Sequence, residues 1–226
     1  MPHVRDLFIL GMGSVLCLTA FSCYTATFEE TSPSQAWAIA VANATEATSI
    51  LVAEYVAREL SLSPEQTEKF VKDYVTERQA VVERQMRESN RANGPDIGSM
   101  VRKSEKGFMR VMQNSLDPDQ IDIAISILRP DGMLGGTVTG SLDGSVNTLV
   151  RGKVPKEKIM EAMPILVLYH RQFAALNAEA LSSNARTDKV IELRVAIAEE
   201  LASIIGVEAA DFWLDLNRRR GISIRR

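Results

Sequence analysis

Apolar and small residues recur every three or four positions along most of this chain, a spacing that predicts helices with one buried face. In the first segment these positions are Trp37, Val41, Ala44, Thr48, Leu51 and Tyr55. They predict a helix over about 34–60, and the same pattern predicts helices from 64, over 99–114, from 118, over 155–181, over 187–205 and in a short final segment. The predicted fold class is all-α, with antiparallel helical hairpins in a bundle of about six to seven helices.

Two of the predicted helices begin with nearly the same five residues. One start is Leu62-Ser63-Pro64-Glu65-Gln66 and the other is Leu116-Asp117-Pro118-Asp119-Gln120. Serine and aspartate are favoured as helix caps, proline is favoured at the first helical position, and glutamine three residues after the cap completes a capping box. Both segments therefore predict helix N-termini.

The faces of the predicted helices lead to three expectations about burial. The charged face of the second helix is expected to be solvated; its residues are Glu68, Lys69, Glu77, Arg78, Glu83, Arg84, Arg87 and Glu88. The apolar run 121–128 is expected to be buried on most sides. Six aromatic residues are expected to be largely buried, namely Trp37, Phe70, Tyr74, Phe173, Phe212 and Trp213.

Glycine is concentrated in residues 129–153, which hold six of the thirteen glycines of the chain. Such a cluster is typical of a connection, and 131–153 is the predicted boundary between two helical halves. Within it, Leu142, Val146, Leu149 and Val150 fit a short helix that stops at Gly152. The same residues alternate as in a strand, with Asp143-Gly144 as the turn of a hairpin over 136–150. The helix is preferred because the flanking segments are helical.

The N-terminus has the pattern of an export signal. Residues 7–21, LFILGMGSVLCLTAF, form an apolar run that is short for a membrane span and fits a signal-peptide core. Ala20 and Ser22 are small residues placed as signal peptidase requires before a cut at Cys23. A cleaved signal, a lipoprotein lipidated at Cys23 and an uncleaved anchor all stay open. Each predicts an extracytoplasmic chain, periplasmic or secreted, that meets the membrane only through its N-terminus.

The predicted organisation follows from these segments. Residues 1–22 are the signal peptide, 23–35 a tether, 36–130 an N-terminal helical half with both start motifs, 131–153 the glycine-rich connection, 154–217 a C-terminal helical half and 218–226 a basic tail. The tail carries Arg218, Arg219, Arg220, Arg225 and Arg226. We expect these arginines to be solvated, with contact to anionic lipid or an acidic partner as the alternative.

Composition and motifs argue against several function classes. A net charge of −3 and an aromatic content of 6% argue against nucleic acid as a partner. Both cysteines lie in the first 23 residues, and His170 is the one histidine after His3, so no metal site is expected. The chain has no phosphate loop, dinucleotide fingerprint, nucleophile elbow or HExxH motif. No cofactor, no catalytic residues and no enzyme activity are therefore expected.

His170 is the titratable residue that stands out, because it lies on an apolar stripe with Ile159, Met163 and Leu166. The functional interpretation is a pH sensor or a general base. The structural interpretation is a histidine at the edge of the core with a satisfied hydrogen bond. The second is favoured, because no serine, cysteine or metal partner can be named from the sequence.

The two start motifs resemble the LTxxQ motifs of the Spy/CpxP family of periplasmic helical proteins. Leu62, Ser63 and Gln66 match the first motif with serine in place of threonine, and Leu116 and Gln120 match the second, with Asp117 at the cap position. The resemblance covers about residues 34–128. It implies a protein with a helical hairpin fold, often dimeric. Such a protein acts without ATP on unfolded proteins or senses envelope stress.

Two functions from different classes are expected. The first is an ATP-independent chaperone or envelope-stress protein whose partners are unfolded or envelope proteins, with a homodimer as a compatible assembly. The second is a structural or scaffold protein of the cell envelope, lipid-anchored or not, without catalytic activity. A long exposed apolar patch in a concavity would favour the first, and a flat polar surface with a lipidated Cys23 the second.

Overall fold

The computed structural model describes the backbone of residues 33–89, 96–130 and 142–221, and most side chains between residues 46 and 215 in those ranges. Eight helices are described: α1 Pro33–Glu59, α2 Pro64–Ser89, α3 Ile97–Ser115, α4 Pro118–Leu128, α5 Leu142–Arg151, α6 Lys156–Ala178, α7 Ser183–Ile205 and α8 Val207–Gly221. Residues Ala44–Arg226 form one compact unit. Residues Met1–Asn43 form another, in which the described part is the beginning of α1.

The all-α prediction is confirmed, because the described residues form helices and turns without a strand. Residues 142–151 are the helix α5, so the hairpin alternative is wrong for them. Eight helices are described rather than six to seven, since this short segment adds one. The division into two halves at 131–153 stays a prediction.

Helix α5 is enclosed by its neighbours. Every residue from Leu142 to Leu149 is buried, and the helix packs against α4, α6 and α8. Leu142, Val146 and Leu149 are 0% exposed. Because a helix of ten residues is marginal in water on its own, its form depends on this enclosure.

One apolar core joins residues of all eight helices. Its largest fully buried side chains include Phe70 and Tyr74 of α2, Met112 of α3 and Trp213 of α8. Outside α5, α2 packs against α3, and α6, α7 and α8 pack in sequence. The core therefore includes residues from both sides of the glycine-rich connection.

Both helix-start motifs lie at corners between helices. At the α1–α2 corner, Ser61 has a φ of 52°, and the Leu62 N–H donates to Ala57 O at 3.0 Å, which closes α1 as a Schellman motif. Ser63 then caps α2: its Oγ accepts from the Gln66 N–H at 3.2 Å, and Gln66 Oε1 accepts from the Ser63 N–H at 3.0 Å. At the α3–α4 corner, Gln120 Oε1 accepts from the Asp117 N–H at 3.0 Å in a second capping box.

Three expectations about burial are wrong. Arg78 is 3% exposed rather than solvated, because α2 turns it toward a carboxylate on α5. Phe212 is 37% exposed, because α8 buries its Trp213 face and leaves Phe212 on the flank. Ile123 is 49% exposed, because the neighbours of α4 cover Ala124, Ile127 and Leu128 instead.

The expected stop of the short helix at Gly152 is confirmed. Helix α5 ends at Arg151, and the left-handed position that follows it is Lys153, with a φ of 58°. Gly152 is constrained by space instead, because a Cβ there would lie 3.2 Å from Cδ1 of Phe212. The predicted break between α7 and α8 is at Gly206, whose φ is 86°.

Several predictions fall outside the described residues. They concern the signal peptide, Cys23, the tether up to residue 32, the connection over 131–141 and residues 222–226. The side chains of Trp37, Arg218, Arg219 and Arg220 also lie outside the description. Among the helices that are described, none is long and apolar enough to cross a membrane.

The α2 capping box leads to a prediction about stability. Ser63→Ala should leave the protein folded but lower its free energy of unfolding by about 0.5–2 kcal/mol, because an amide at the helix start loses its acceptor. Urea unfolding followed by circular dichroism measures this loss. Ser183→Ala is the matched control, since Ser183 is exposed at the start of α7 and its side chain bonds to no described residue. Equal losses in both variants would contradict the capping role of Ser63.

Candidate functional site

The motif residues singled out in the sequence are divided between the two corners. Leu116 is buried and Leu62 half-buried against the core, whereas Ser63 and Asp117 are exposed at the helix starts. The side chains of Gln66 and Gln120 turn back to the cap residues. The motifs therefore shape the corners, and the buried polar side chains gather elsewhere, around α5.

The α2 side of this site is organised by one carboxylate. Arg78 Nε lies 3.2 Å from Asp143 Oδ1, and the two side chains are 3% and 5% exposed. The Tyr74 hydroxyl donates to the same carboxylate, 3.1 Å from Oδ1 and 3.0 Å from Oδ2. Asp143 of α5 thus binds two residues that are one helical turn apart on α2. We call Tyr74, Arg78 and Asp143 the Asp143 cluster.

Burial sets the protonation of Tyr74 in this cluster. Burial, reinforced by the negative charge of Asp143, raises the pKa of the Tyr74 hydroxyl well above its usual value of 10.0, so the hydroxyl stays a donor. The Arg78 guanidinium lies 5.6 Å from the centre of the Phe108 ring of α3, within the range of a cation–π contact. Its Nη2 has no hydrogen-bond partner among the described atoms, and its Nε contacts Asp143 as an ion pair without hydrogen-bond geometry. The positive charge of Arg78 is therefore compensated by the Asp143 carboxylate and the Phe108 ring.

A second polar pair joins α5 to α6. Ser145 Oγ and His170 Nε2 are 2.9 Å apart, and the two residues are 3% and 5% exposed. Burial, with a smaller effect from the positive charge of Arg129, lowers the pKa of His170 from 6.5 to about 3. The imidazole is therefore neutral at physiological pH.

The polar contacts continue to α7. The His170 ring stands edge-on to Tyr169, with 4.9 Å between ring centres. The Tyr169 hydroxyl accepts from Nε of Arg194, a buried arginine of α7, at 3.2 Å. Polar side chains thus connect α2 to α5, α5 to α6, and α6 to α7.

A serine bonded to a histidine is also the arrangement of an activated nucleophile. That chemistry needs a serine that faces substrate and a histidine oriented by a third group. Here Ser145 lies inside a fully enclosed stretch of α5. In the described part of the chain, the carboxylate of Asp143 is bonded to Tyr74 and Arg78 and not to His170. The geometry is suited to joining helices.

Sequence reasoning missed most of these residues. Arg78 follows the buried Tyr74 by four residues, so the helical period could have placed both on one face. Asp143 offered no comparable signal, because its partner Tyr74 is 69 residues away along the chain. Ser145 and Arg194 likewise find their partners at a separation of 25 residues.

A shallow groove lies beside the C-terminal half of α6. It is lined by Pro130, Arg171, Ala174, Ala175, Asn177 and Ala178. Arg171 is its one charged residue, and its Nε donates to Ser126 O of α4 at 3.4 Å. No group of three or more histidine, cysteine or carboxylate side chains lies close enough to hold a metal in the described residues.

Comparison with known proteins adds no relative, because no family model, curated protein or solved structure matches the chain. Fold and site therefore define the class by themselves. It is an all-helical protein in which an internal set of polar contacts ties four helices together.

His170 makes the stability of the fold depend on pH. Its pKa of about 3 in the folded state lies below the unfolded value of 6.5, so between these values a proton binds only on unfolding. The free energy of unfolding should have its full value above pH 6.5. It should fall on acidification, by about 1 kcal/mol per pH unit between pH 6 and 5. Urea unfolding at stepped pH measures the slope.

Replacement of His170 tests the origin of this slope. His170→Gln should flatten it, because His170 is the one histidine after His3, and carboxylates titrate mainly at lower pH. His3→Gln is the control and should keep the slope of the unaltered protein. A slope that persists in His170→Gln would show that another group takes up the proton.

Proposed function

We propose that the protein is a non-catalytic helical scaffold of the cell envelope, whose body holds a fixed protein partner. The observation that carries this proposal is that the side chains that could be reactive are buried in contacts between helices. Asp143, Ser145 and His170 are buried and bonded to residues of other helices. Groups that could act as acid, nucleophile or base are therefore used to hold the body in one arrangement.

The described surface agrees with a binding role. Four large apolar side chains are exposed, Ile123, Leu168, Val207 and Phe212, and they are distributed over α4, α6 and α8. The groove beside α6 offers small side chains, with Arg171 and Asn177 among them. A scaffold needs a stable body with a specific contact surface, whereas a cradle for unfolded chains needs a long apolar concavity.

A chaperone or envelope-stress protein of the Spy/CpxP type is the second candidate. The two corners with their Leu-cap-Pro-x-Gln starts support it, as does one feature of the surface. Ile123 and Leu168 each lie three residues before a member of the Ser126–Arg171 contact, so both border the seam between α4 and α6. Unfolded or envelope proteins would be the clients.

Both candidates place the body outside the cytoplasm, because residues 7–21 have the pattern of an export signal. A lipidated Cys23 would keep the scaffold at the membrane, and a cleaved signal would release it. A homodimer is compatible with either candidate. Neither candidate requires a cofactor or a metal.

A holdase assay separates the two candidates. Light scattering of a heat-aggregating client enzyme is followed with and without an equimolar amount of the protein. The scaffold proposal predicts the same scattering in both, because the exposed large apolar side chains of the described residues are distributed over three helices and form no long apolar concavity for an unfolded client.

Charged substitutions extend this assay. Ile123→Glu combined with Leu168→Glu alters the α4–α6 seam, and Val207→Glu is a control at another exposed apolar position. Protection by the unaltered protein that disappears in the double variant and persists in the control would reject the scaffold proposal and establish the chaperone.

A further inference from the structure

The exposed face of α3 carries an unpaired basic stripe, which consists of Arg102, Lys103, Lys106 and Arg110. All four are exposed, and none forms an ion pair or side-chain hydrogen bond with a described residue. The buried side of α3 is formed by other residues, among them Ser104, Phe108 and Met112. Helix α3 has a net charge of +3, in a chain whose net charge is −3.

Helix geometry gathers these four charges on one side. At about 100° per residue, they fall within an arc of about 100°, and they extend over about 12 Å along the axis. Glu105 is the one acidic residue of α3, and it lies outside this arc, about 60° from Arg102. Ser99 and Gln113 continue the same arc with polar side chains. The stripe is therefore a continuous polar and basic surface.

Several other exposed lysines of the described chain have acidic partners, although Lys72 and Lys153 form no ion pair with a described residue. Lys156 pairs with Glu54 at 2.8 Å, Lys158 with Glu161 at 2.8 Å and Lys189 with Glu179 at 2.9 Å. On α3, by contrast, Arg102, Lys106 and Arg110 follow one another at four-residue spacing, at which like charges repel and lower helix stability. An anionic surface outside the protein would remove that repulsion.

We propose that the basic stripe of α3 rests on the anionic headgroups of a lipid membrane. Protein interfaces centre on buried aromatic or apolar anchors, but the described exposed apolar anchors lie on α4, α6 and α8. A headgroup layer requires positive charge and no shaped pocket. Because the stripe has no large apolar side chain to insert, it adsorbs at headgroup level and distinguishes anionic from neutral lipid.

This inference rests on the proposed envelope location and adds the surface by which the body meets the membrane. A single acyl chain or a short apolar segment binds membranes weakly, and a basic patch is the kind of second contact that makes attachment stable. The stripe would thus complement the N-terminal attachment expected from residues 7–21 and Cys23. Its test needs no partner protein, so it can fail while the scaffold proposal stands.

The test measures binding of the purified full chain to two kinds of vesicle. One contains phosphatidylcholine alone, and the other contains in addition about one-third phosphatidylglycerol, an anionic lipid. The N-terminal apolar run contributes to both, so the ratio of the two partition constants isolates the effect of charge. Each basic residue near an anionic surface should raise partitioning about fivefold.

Three charge-reversal variants locate the contact. Arg102→Glu, Lys106→Glu and Arg110→Glu together should lower the anionic preference by at least about a hundredfold at low salt. The matched control reverses Lys72, Arg151 and Lys153, exposed cations on other elements, and should retain most of the preference. The third variant reverses Arg218, Arg219 and Arg220 of the tail. Arg102→Gln, Lys106→Gln and Arg110→Gln are used together if the first variant does not fold.

The outcomes are distinct. Loss of preference in the α3 variant, with retention in the control, supports the proposal. Equal loss in both would mean that net charge alone matters and would overturn it. Loss confined to the tail variant would assign lipid binding to the tail, and an unaltered protein without anionic preference would refute membrane contact. Binding to an acidic peptide instead of vesicles would make the occupant a protein and would also overturn the proposal.

Discussion

The ion pair between Arg78 and Asp143 is the interaction on which the arrangement of the described helices depends. Both side chains are almost completely buried, and each would be costly to desolvate alone. Removal of one partner from such a pair typically costs about 3–5 kcal/mol, because the other charge is left uncompensated. The pair therefore holds α2 against α5, and the Tyr74 hydroxyl and the Phe108 ring fix its position.

The other buried polar contacts extend the same constraint. Ser145 with His170, and Tyr169 with Arg194, connect α5 to α6 and α6 to α7. A hydrogen bond between buried groups exists in one register only, because a shift would leave costly unpaired polar groups. We infer that these contacts select a single packing around α5, which the apolar residues of this short helix would leave less defined. A body with one rigid arrangement is what a scaffold requires.

Local sequence signals predict the helices and their corners well. Ser63 and Gln66 bond to each other across three residues, so the information for that helix start is contained in five letters. The α5 helix was predicted from four apolar residues at helical spacing, although its enclosure could not be. The polar cluster was missed because Asp143 and Tyr74 are far apart in the chain, and their contact follows from packing alone. The sequence predicts that Arg78 is solvated, because most residues of that face of α2 are charged. This pattern gives the character of the face as a whole and does not identify Arg78 as its buried charge.

The buried polar side chains and the exposed basic side chains thus have different roles in this protein. The buried serine, histidine and aspartate stabilise the fold, and the exposed basic stripe of α3 is available for a partner. Neutral replacements separate the first role from general packing, because Asp143→Asn keeps the size and an acceptor for Tyr74 while it removes the charge.

A double-mutant cycle of Arg78→Met and Asp143→Asn, followed by urea unfolding, tests the central claim directly. Each single variant should lose about 3–5 kcal/mol, and the double variant should lose less than either of them, because no unpaired charge remains. Single losses below about 1 kcal/mol, or losses that add fully in the double variant, would show that the ion pair does not hold α2 against α5.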